Sequence, residues 1–177
     1  MKKWLLVILI CLIGICCSGC AVMEALDNRA ENQRHAEKVS KKLICYINEK
    51  DVDGIEQLFN KFSQKEEKLR GDIKDFFDYI DGEIVDYNIN YRGEVGSWIE
   101  DGKWVEQEVQ TNLENIITDT GTKYYIDFGE YTIYTEDKDK EGMVYLRLCD
   151  EDKKLIFGIC YTSRKVERNG FSTFLLV

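Results

Sequence analysis

The sequence predicts an α+β domain in which N-terminal helices pack on an antiparallel sheet. Apolar residues recur at helical spacing as far as Gly82, and beyond it they alternate with polar residues, as in a strand with one buried face. Helices followed by a run of strands favour two layers, because each element must bury its apolar side against another. The hydrophobic fraction of 44% is sufficient for such a core.

The first predicted helix is defined by an apolar stripe that begins at Ala36. Its members are Ala36, Val39, Leu43, Tyr46 and Ile47. Residues 20–35 before it are polar for most of their length, and they form either a tether or the start of this helix.

Two more helices are predicted before Gly82. Asp51 is a suitable N-cap for the second helix, because its carboxylate accepts hydrogen bonds from the free amides of a first turn. Residues 63–66, Ser-Gln-Lys-Glu, have the pattern of a capping box and are expected to begin the third helix, which Gly82 ends. The second helix is expected to bury Val52, Ile55, Leu58, Phe59 and Phe62. The third is expected to bury Leu69, Ile73, Phe76, Phe77 and Ile80.

The first strand is predicted from the alternation that follows Gly82. Its dry face is expected to contain Val85, Tyr87, Ile89 and Tyr91. The polar, glycine-containing residues 92–102 are expected to form a loop. Residues 105–117 fit both helical and strand spacing, and a strand is preferred because a turn at 118–122 joins them to another alternating run.

The remaining strands follow that turn. Gly129 is expected to mark a bulge where the alternation of residues 124–133 shifts. A final hairpin places Val144, Leu146 and Leu148 opposite Leu155, Phe157 and Ile159. Residues 163–177 are apolar at their end and remain unplaced, either as an extra strand or as a cover for a sheet edge.

The N-terminal residues have the pattern of a signal peptide. Lys2 and Lys3 precede an apolar run from Trp4 to Cys17, about 21 Å of helix against a hydrocarbon core of ~30 Å. The run ends in Ser18, Gly19 and Cys20, which resembles the lipobox of bacterial lipoproteins, although Cys17 stands where a leucine is usual. Residues 1–19 are therefore expected to be removed, and Cys20 to carry diacylglycerol and palmitate.

An uncleaved anchor is the alternative to this signal peptide. Ala21, Val22 and Met23 extend the apolar stretch to a length that just spans a bilayer. Both alternatives place the folded part outside the cytoplasm, at the extracytoplasmic face of the cell membrane, because the positive charges precede the apolar run.

The acidic composition excludes one class of partner. The formal net charge is −9, and loss of Lys2 and Lys3 with the signal would make it more negative by two. Such a surface repels phosphate backbones, so nucleic-acid binding is not expected. The membrane is expected as a partner only through lipid on Cys20.

The cysteines do not form a disulfide or metal framework. Of the 7 cysteines, those outside the signal and the lipobox are Cys45, Cys149 and Cys160, and we expect all three to be unpaired. They lack metal-ligand spacing, and His35 is the only histidine, so neither a metal site nor a cofactor is predicted. His35 lies among polar residues and is expected to be solvated.

The order of elements is similar to the nuclear transport factor 2-like, or cystatin-like, superfamily. More narrowly, residues 20–162 resemble a family of Gram-positive lipoproteins filed as a domain of unknown function. The resemblance is carried by the cysteine end of the signal and by residues 51–59, 76–84 and 116–128. It implies a curved sheet that wraps a helix to form a cone over residues 36–162, and it brings no catalytic residues.

A binding module is the preferred function, with a small ligand or a protein partner held in the cone. Aromatic side chains with polar tips suit such pockets, and the candidates are Tyr87, Tyr91, Trp104, Tyr124 and Tyr125. The alternative for each is ordinary core or cross-strand packing.

Two other functions stay open. A small pocket enzyme with Asp86 or Asp127 as a proton-transfer base rests on analogy with the superfamily alone. A structural or adhesion protein would use a sheet face or the apolar end of residues 163–177. The sequence contains no nucleophile–base pair and no phosphate-binding loop that would predict catalysis.

Overall fold

The computed structural model describes residues 27–161, so Cys20, the signal segment and residues 163–177 lie outside the described part. Helix α1 covers residues 27–49 and is followed by α2 (Val52–Leu58) and α3 (Leu69–Asp78). The strands are β1 (Ile84–Glu100), β2 (Lys103–Thr118), β3 (Lys123–Tyr134), β4 (Gly142–Asp150) and β5 (Leu155–Cys160). Short 3-10 turns occur at Ser63–Lys65 and Lys138–Lys140.

The five strands form one antiparallel sheet in the order β1-β2-β3-β4-β5, so every strand pairs with its neighbour in sequence. The helices pack on one face, and the buried core joins Leu43 of α1 and Phe76 of α3 to Leu113, Ile126 and Leu146 of the sheet. The prediction of an α+β fold with helices layered on an antiparallel sheet is confirmed. Among residues 27–161, no helix combines the length and apolar character that a membrane span needs.

The helical stripes form as predicted in α1 and α3. Ala36, Val39, Leu43 and Ile47 are buried in α1, while Leu69, Ile73, Phe76 and Phe77 are buried in α3. Asp51 caps α2, since its Oδ1 accepts from the amide of Gly54 at 3.0 Å. Residues 27–35 are helical, which makes them the start of α1 rather than a separate tether.

Two helix predictions are wrong. Helix α2 ends at Leu58, and the ring of Phe62 is 37% exposed beneath the ammonium groups of Lys65 and Lys140. The capping box does not form. Ser63 instead begins a 3-10 turn, and its backbone amide donates to Asn60 Oδ1. Helix α3 starts later, at Leu69, without a side-chain cap. The free amide of Ser63 is thus satisfied by a side chain from outside the motif. The 3-10 turn ends before α3 begins.

The predicted loop at 92–102 is also wrong, because β1 continues through it to Glu100. Asp101 and Gly102 both have positive φ, 49° and 74°, as the two-residue turns of β-hairpins require. Backbone pairing with β2 therefore overrides the polar composition. Val85 is 64% exposed while Ile84 is buried, so the start of β1 is turned by one residue from the predicted dry face.

The other strand predictions are confirmed except for Leu155 in the last hairpin, which pairs with Cys149 after a register shift and is 38% exposed. Residues 105–117 lie in β2, and a turn joins β2 to β3. The pairing of β3 with β4 shifts register between Gly129 and Glu130, where the bulge was expected. In the last hairpin Leu146 lies opposite Ile159 and Leu148 opposite Phe157.

The three described cysteines are unpaired, as predicted. In the β4–β5 hairpin the backbone of Cys149 lies opposite Leu155, near the turn. The backbone of Cys160 lies opposite Tyr145, farther from the turn. Cys45 is exposed on α1 and donates to Glu49.

Candidate functional site

A cleft of about 420 Å³ lies between the N-terminal half of α1 and the C-terminal half of β3. Its wall on α1 is made of Asn28, Glu31, Asn32 and His35, and its wall on the sheet side is made of Tyr131, Thr132, Ile133, Glu141 and Gly142. The lining is therefore rich in carboxylate, amide and hydroxyl groups, which suits a polar ligand.

Helical spacing brings the α1 residues of the cleft together. Asn28, Asn32 and His35 follow one another at intervals of four and three residues, so they share a face of the helix. The same face continues into the apolar stripe through Ala36 and Val39, which are buried against the sheet. Packing of that stripe thus holds the polar residues over β3.

A fully buried glutamine anchors this end of the helix. Gln107 on β2 has no exposed surface, and its Oε1 accepts from Asn32 Nδ2 at 2.9 Å and from Thr132 Oγ1 at 3.0 Å. Its Nε2 donates to Glu94 Oε1 at 2.7 Å. An amide whose donors and acceptors are used in this way fixes the positions of its partners, because breaking any bond would leave a buried polar group unpaired.

His35 and Glu130 form an ion pair beside the cleft. His35 Nε2 lies 3.1 Å from Glu130 Oε2, and the exposed fractions of the two side chains are 49% and 3%. The hydrogen bond to Glu130 raises the pKa of His35 above its ordinary value, and burial opposes the shift. The other carboxylate oxygen, Glu130 Oε1, is buried and has no hydrogen-bond partner among the described residues, and the same is true of Asn28 Nδ2.

The bond between His35 and Glu130 predicts a raised pKa for His35. Its imidazole should titrate above 6.5, and Glu130→Gln should bring the pKa down by removing the charged acceptor. Since the folded-state pKa exceeds the unfolded one, the pair's contribution to the free energy of unfolding is complete below 6.5 and is lost as pH rises through the folded-state value. The contribution is small because half of His35 is exposed.

An NMR titration measures this pKa without ambiguity, because the chain has 1 histidine. Glu37→Gln is the matched control, since Glu37 lies on the same helix and carries the same charge but bonds to Gln33 instead. Equal shifts of the His35 pKa in the two variants would show that the hydrogen bond to Glu130 is not its cause.

The five predicted aromatic residues do not form one site. Tyr91 approaches the cleft, where it hydrogen-bonds to Asn32, and Tyr87 packs against the core from β1. Trp104 lies opposite Ile99 near the tip of the β1–β2 hairpin, away from the cleft lining. Tyr124 is structural, since its hydroxyl donates to Tyr79 O and accepts from the amide of Asp81.

Tyr125 points away from the helices. Its neighbours Tyr124 and Ile126 belong to the core, so alternation places Tyr125 on the opposite face of the sheet. It lines a second pocket there, together with Arg92, Asp127 and Arg147.

The two aspartates suggested by analogy occupy different environments. Asp86 is exposed on β1, where its Oδ1 accepts from the amide of Tyr87. Asp127 is buried, and both of its carboxylate oxygens accept from the guanidinium of Arg147, at 2.7 and 3.0 Å. To act as a proton acceptor, the carboxylate of Asp127 would first have to break its hydrogen bonds to Arg147. Among residues 27–161, no group of three or more His, Cys, Asp or Glu side chains is arranged to hold a metal ion.

His35 is half exposed, in agreement with the expectation that it is solvated, but neither its bond to Glu130 nor the Gln107 network was foreseen. The two partners of the ion pair are 95 residues apart in sequence, so no local pattern connects them. One signal was present. The stripe that begins at Ala36 continues backwards through Asn32 and Asn28 at the same spacing, which indicates a helix face that turns polar but stays covered.

The model of one protein family matches residues 42–151, and that family is described as a domain of unknown function (DUF5104). The match covers the end of α1, helices α2 and α3, and strands β1 to β4. Glu130, Gln107 and Thr132 lie within it, whereas Asn32 and His35 precede it. No curated protein matches the chain.

Proposed function

The chain belongs to this family of domains of unknown function, and on that premise we propose that it is a lipid-anchored extracytoplasmic binding protein. Its ligand is a small polar molecule with an amine group, held in the cleft between α1 and β3. The membrane is reached through lipid on Cys20, and the folded part needs no other membrane contact.

The signal-like N-terminus supports the anchor. A short apolar run after Lys2 and Lys3, ending in Ser-Gly-Cys, is typical of lipoprotein precursors. Residues 21–26 and the start of α1 then separate Cys20 from the core stripe that begins at Ala36. The N-terminal half of α1 forms one wall of the cleft. The cleft residues on α1 are therefore close in sequence to the proposed anchor.

A cone of the nuclear transport factor 2-like type is the fold we propose in finer detail. Helices on one face of a five-stranded antiparallel sheet support it. Such a cone opens between helix and sheet, and the cleft beside His35 lies between those two layers.

The observation that carries the ligand class is the half-used carboxylate of Glu130, which is bonded to His35 of the cleft lining but is not itself part of that lining. Its Oε2 is bonded to His35, whereas Oε1 is buried without a partner among residues 27–161. An ammonium group supplies both the donor and the charge that such an oxygen lacks. Glu31 in the cleft lining adds negative potential that favours a cation, whereas the charge of Glu141 is offset by its ion pair with Lys138.

The test compares n-butylamine with n-butanol, which has the same carbon chain without the charge. We expect the amine to shift the His35 resonances at about millimolar concentration and the alcohol to leave them unchanged. Glu130→Gln should abolish the shift and Glu37→Gln should keep it. Equal responses to both compounds, or an undiminished response in Glu130→Gln, would contradict the proposed ligand class.

A further inference from the structure

The face of the sheet opposite the helices carries a second pocket, of about 410 Å³. Register explains its composition. Asp127 pairs with Asn112 on β2 and with Arg147 on β4, so these three polar residues form a row across the sheet. Their sequence neighbours Leu113 and Ile126 point into the helix-side core. Alternation therefore puts the polar row on the other face.

The pocket is positively charged although the protein is acidic. Arg92, Arg147 and Lys153 line it, and the only acid in its lining is Asp127. Arg147 uses Nε and Nη2 to bind Asp127, which leaves Nη1 able to donate elsewhere. Arg92 has no ion pair with any residue in 27–161, and Lys153 approaches Glu114 only at 3.9 Å. Arg92 thus remains a cation without an ion partner among residues 27–161, in a chain of net charge −9.

The floor of the pocket supplies hydrogen-bonding groups and ring surface. Asn112 is 3% exposed, and its Oδ1, which has no partner among the described residues, can accept a hydrogen bond from a ligand hydroxyl but not from an anionic group itself. Tyr125 is 9% exposed, and burial raises the pKa of its phenol to about 12, so its hydroxyl keeps its proton at neutral pH. Leu155 adds apolar surface at the rim.

We propose that this pocket binds a small organic anion, whose carboxylate or phosphate group lies between Arg92, Arg147 and Lys153. The apolar part of the anion packs against Tyr125 and Leu155. Arg147 is held in place by Asp127, so the site is pre-organised and little side-chain entropy is lost on binding. The site lies on the face of the sheet opposite the amine cleft. This proposal is therefore tested independently of the proposed amine ligand.

The experiment titrates the protein with phenyl phosphate and with benzoate, and uses benzyl alcohol as the uncharged ring control. We expect both anions to bind and the alcohol not to. Arg92→Gln should weaken the binding of the anions by about tenfold or more, because a charge-assisted hydrogen bond is lost. Lys153→Gln tests the same site from the β4–β5 turn and should weaken it in the same direction.

Arg34→Gln is the matched control. Arg34 is exposed on α1, and its replacement removes the same charge from the molecule without touching the pocket. We expect its affinity for the anions to stay within about twofold of the unmodified protein, since long-range charge is screened beyond roughly 10 Å. Absence of anion binding at about 10 mM, or an equal loss in Arg34→Gln and Arg92→Gln, would overturn the proposal.

Discussion

Phe76→Ala is expected to lower the free energy of unfolding by about 3–5 kcal/mol. The ring of Phe76 has no exposed surface and meets the ring of Phe157 edge to face, with centroids 6.4 Å apart. Truncation removes the buried ring from the α3–β5 contact and leaves a cavity that the backbone cannot close. Urea unfolding followed by circular dichroism measures the loss.

Phe62→Ala is the control for this prediction. It makes the same chemical change at a phenylalanine that is 37% exposed and whose ring lies beneath the ammonium groups of Lys65 and Lys140. We expect a cost below about 1 kcal/mol. Comparable losses in the two variants would contradict both the partial exposure of Phe62 and the end of α2 at Leu58.

Cys20→Ala is expected to abolish lipid attachment completely. In the proposed lipoprotein the lipid is joined through the thiol of Cys20, and alanine offers no nucleophile in its place. Labelling of the expressing cells with an alkyne-tagged palmitate should mark the unmodified protein and leave the variant unmarked and unprocessed.

Cys17→Ala is the matched change in the same segment. Cys17 lies three residues before Cys20, where lipoproteins usually have leucine, so its loss should leave labelling intact. Palmitate on the Cys20→Ala protein, or its loss in Cys17→Ala alone, would rule out Cys20 as the lipid site.

The parts of the fold that the sequence predicts are those with local causes. The stripes of α1 and α3 follow from spacing, and the cap at Asp51 follows from a bond to a residue three positions away. Strand β1 beyond Arg92 was missed because its polar, glycine-containing sequence has no strand pattern of its own and is held by pairing to β2.

The two pockets depend on contacts that sequence does not display. The row of Asn112, Asp127 and Arg147 arises from the register of three strands, and a shift of one residue would turn all three to the other face. Tyr125 is a predicted ligand residue and does line a pocket, but on the face of the sheet away from the helices. Periodicity predicts the faces of the strands apart from the start of β1, whereas the partners across the sheet are evident only from the structure.

The sequential strand order has a consequence for how the chain folds. Each strand pairs with the next one along the chain, so the sheet grows by closing short loops, which costs little chain entropy. Helix α1 is the exception, because its bonds to Gln107 and Glu130 span 75 and 95 residues. During synthesis from the N-terminus, α1 therefore emerges well before the strands that cover it. Helix α1 can therefore dock only after the whole sheet has formed. Until then its apolar stripe is exposed and can aggregate.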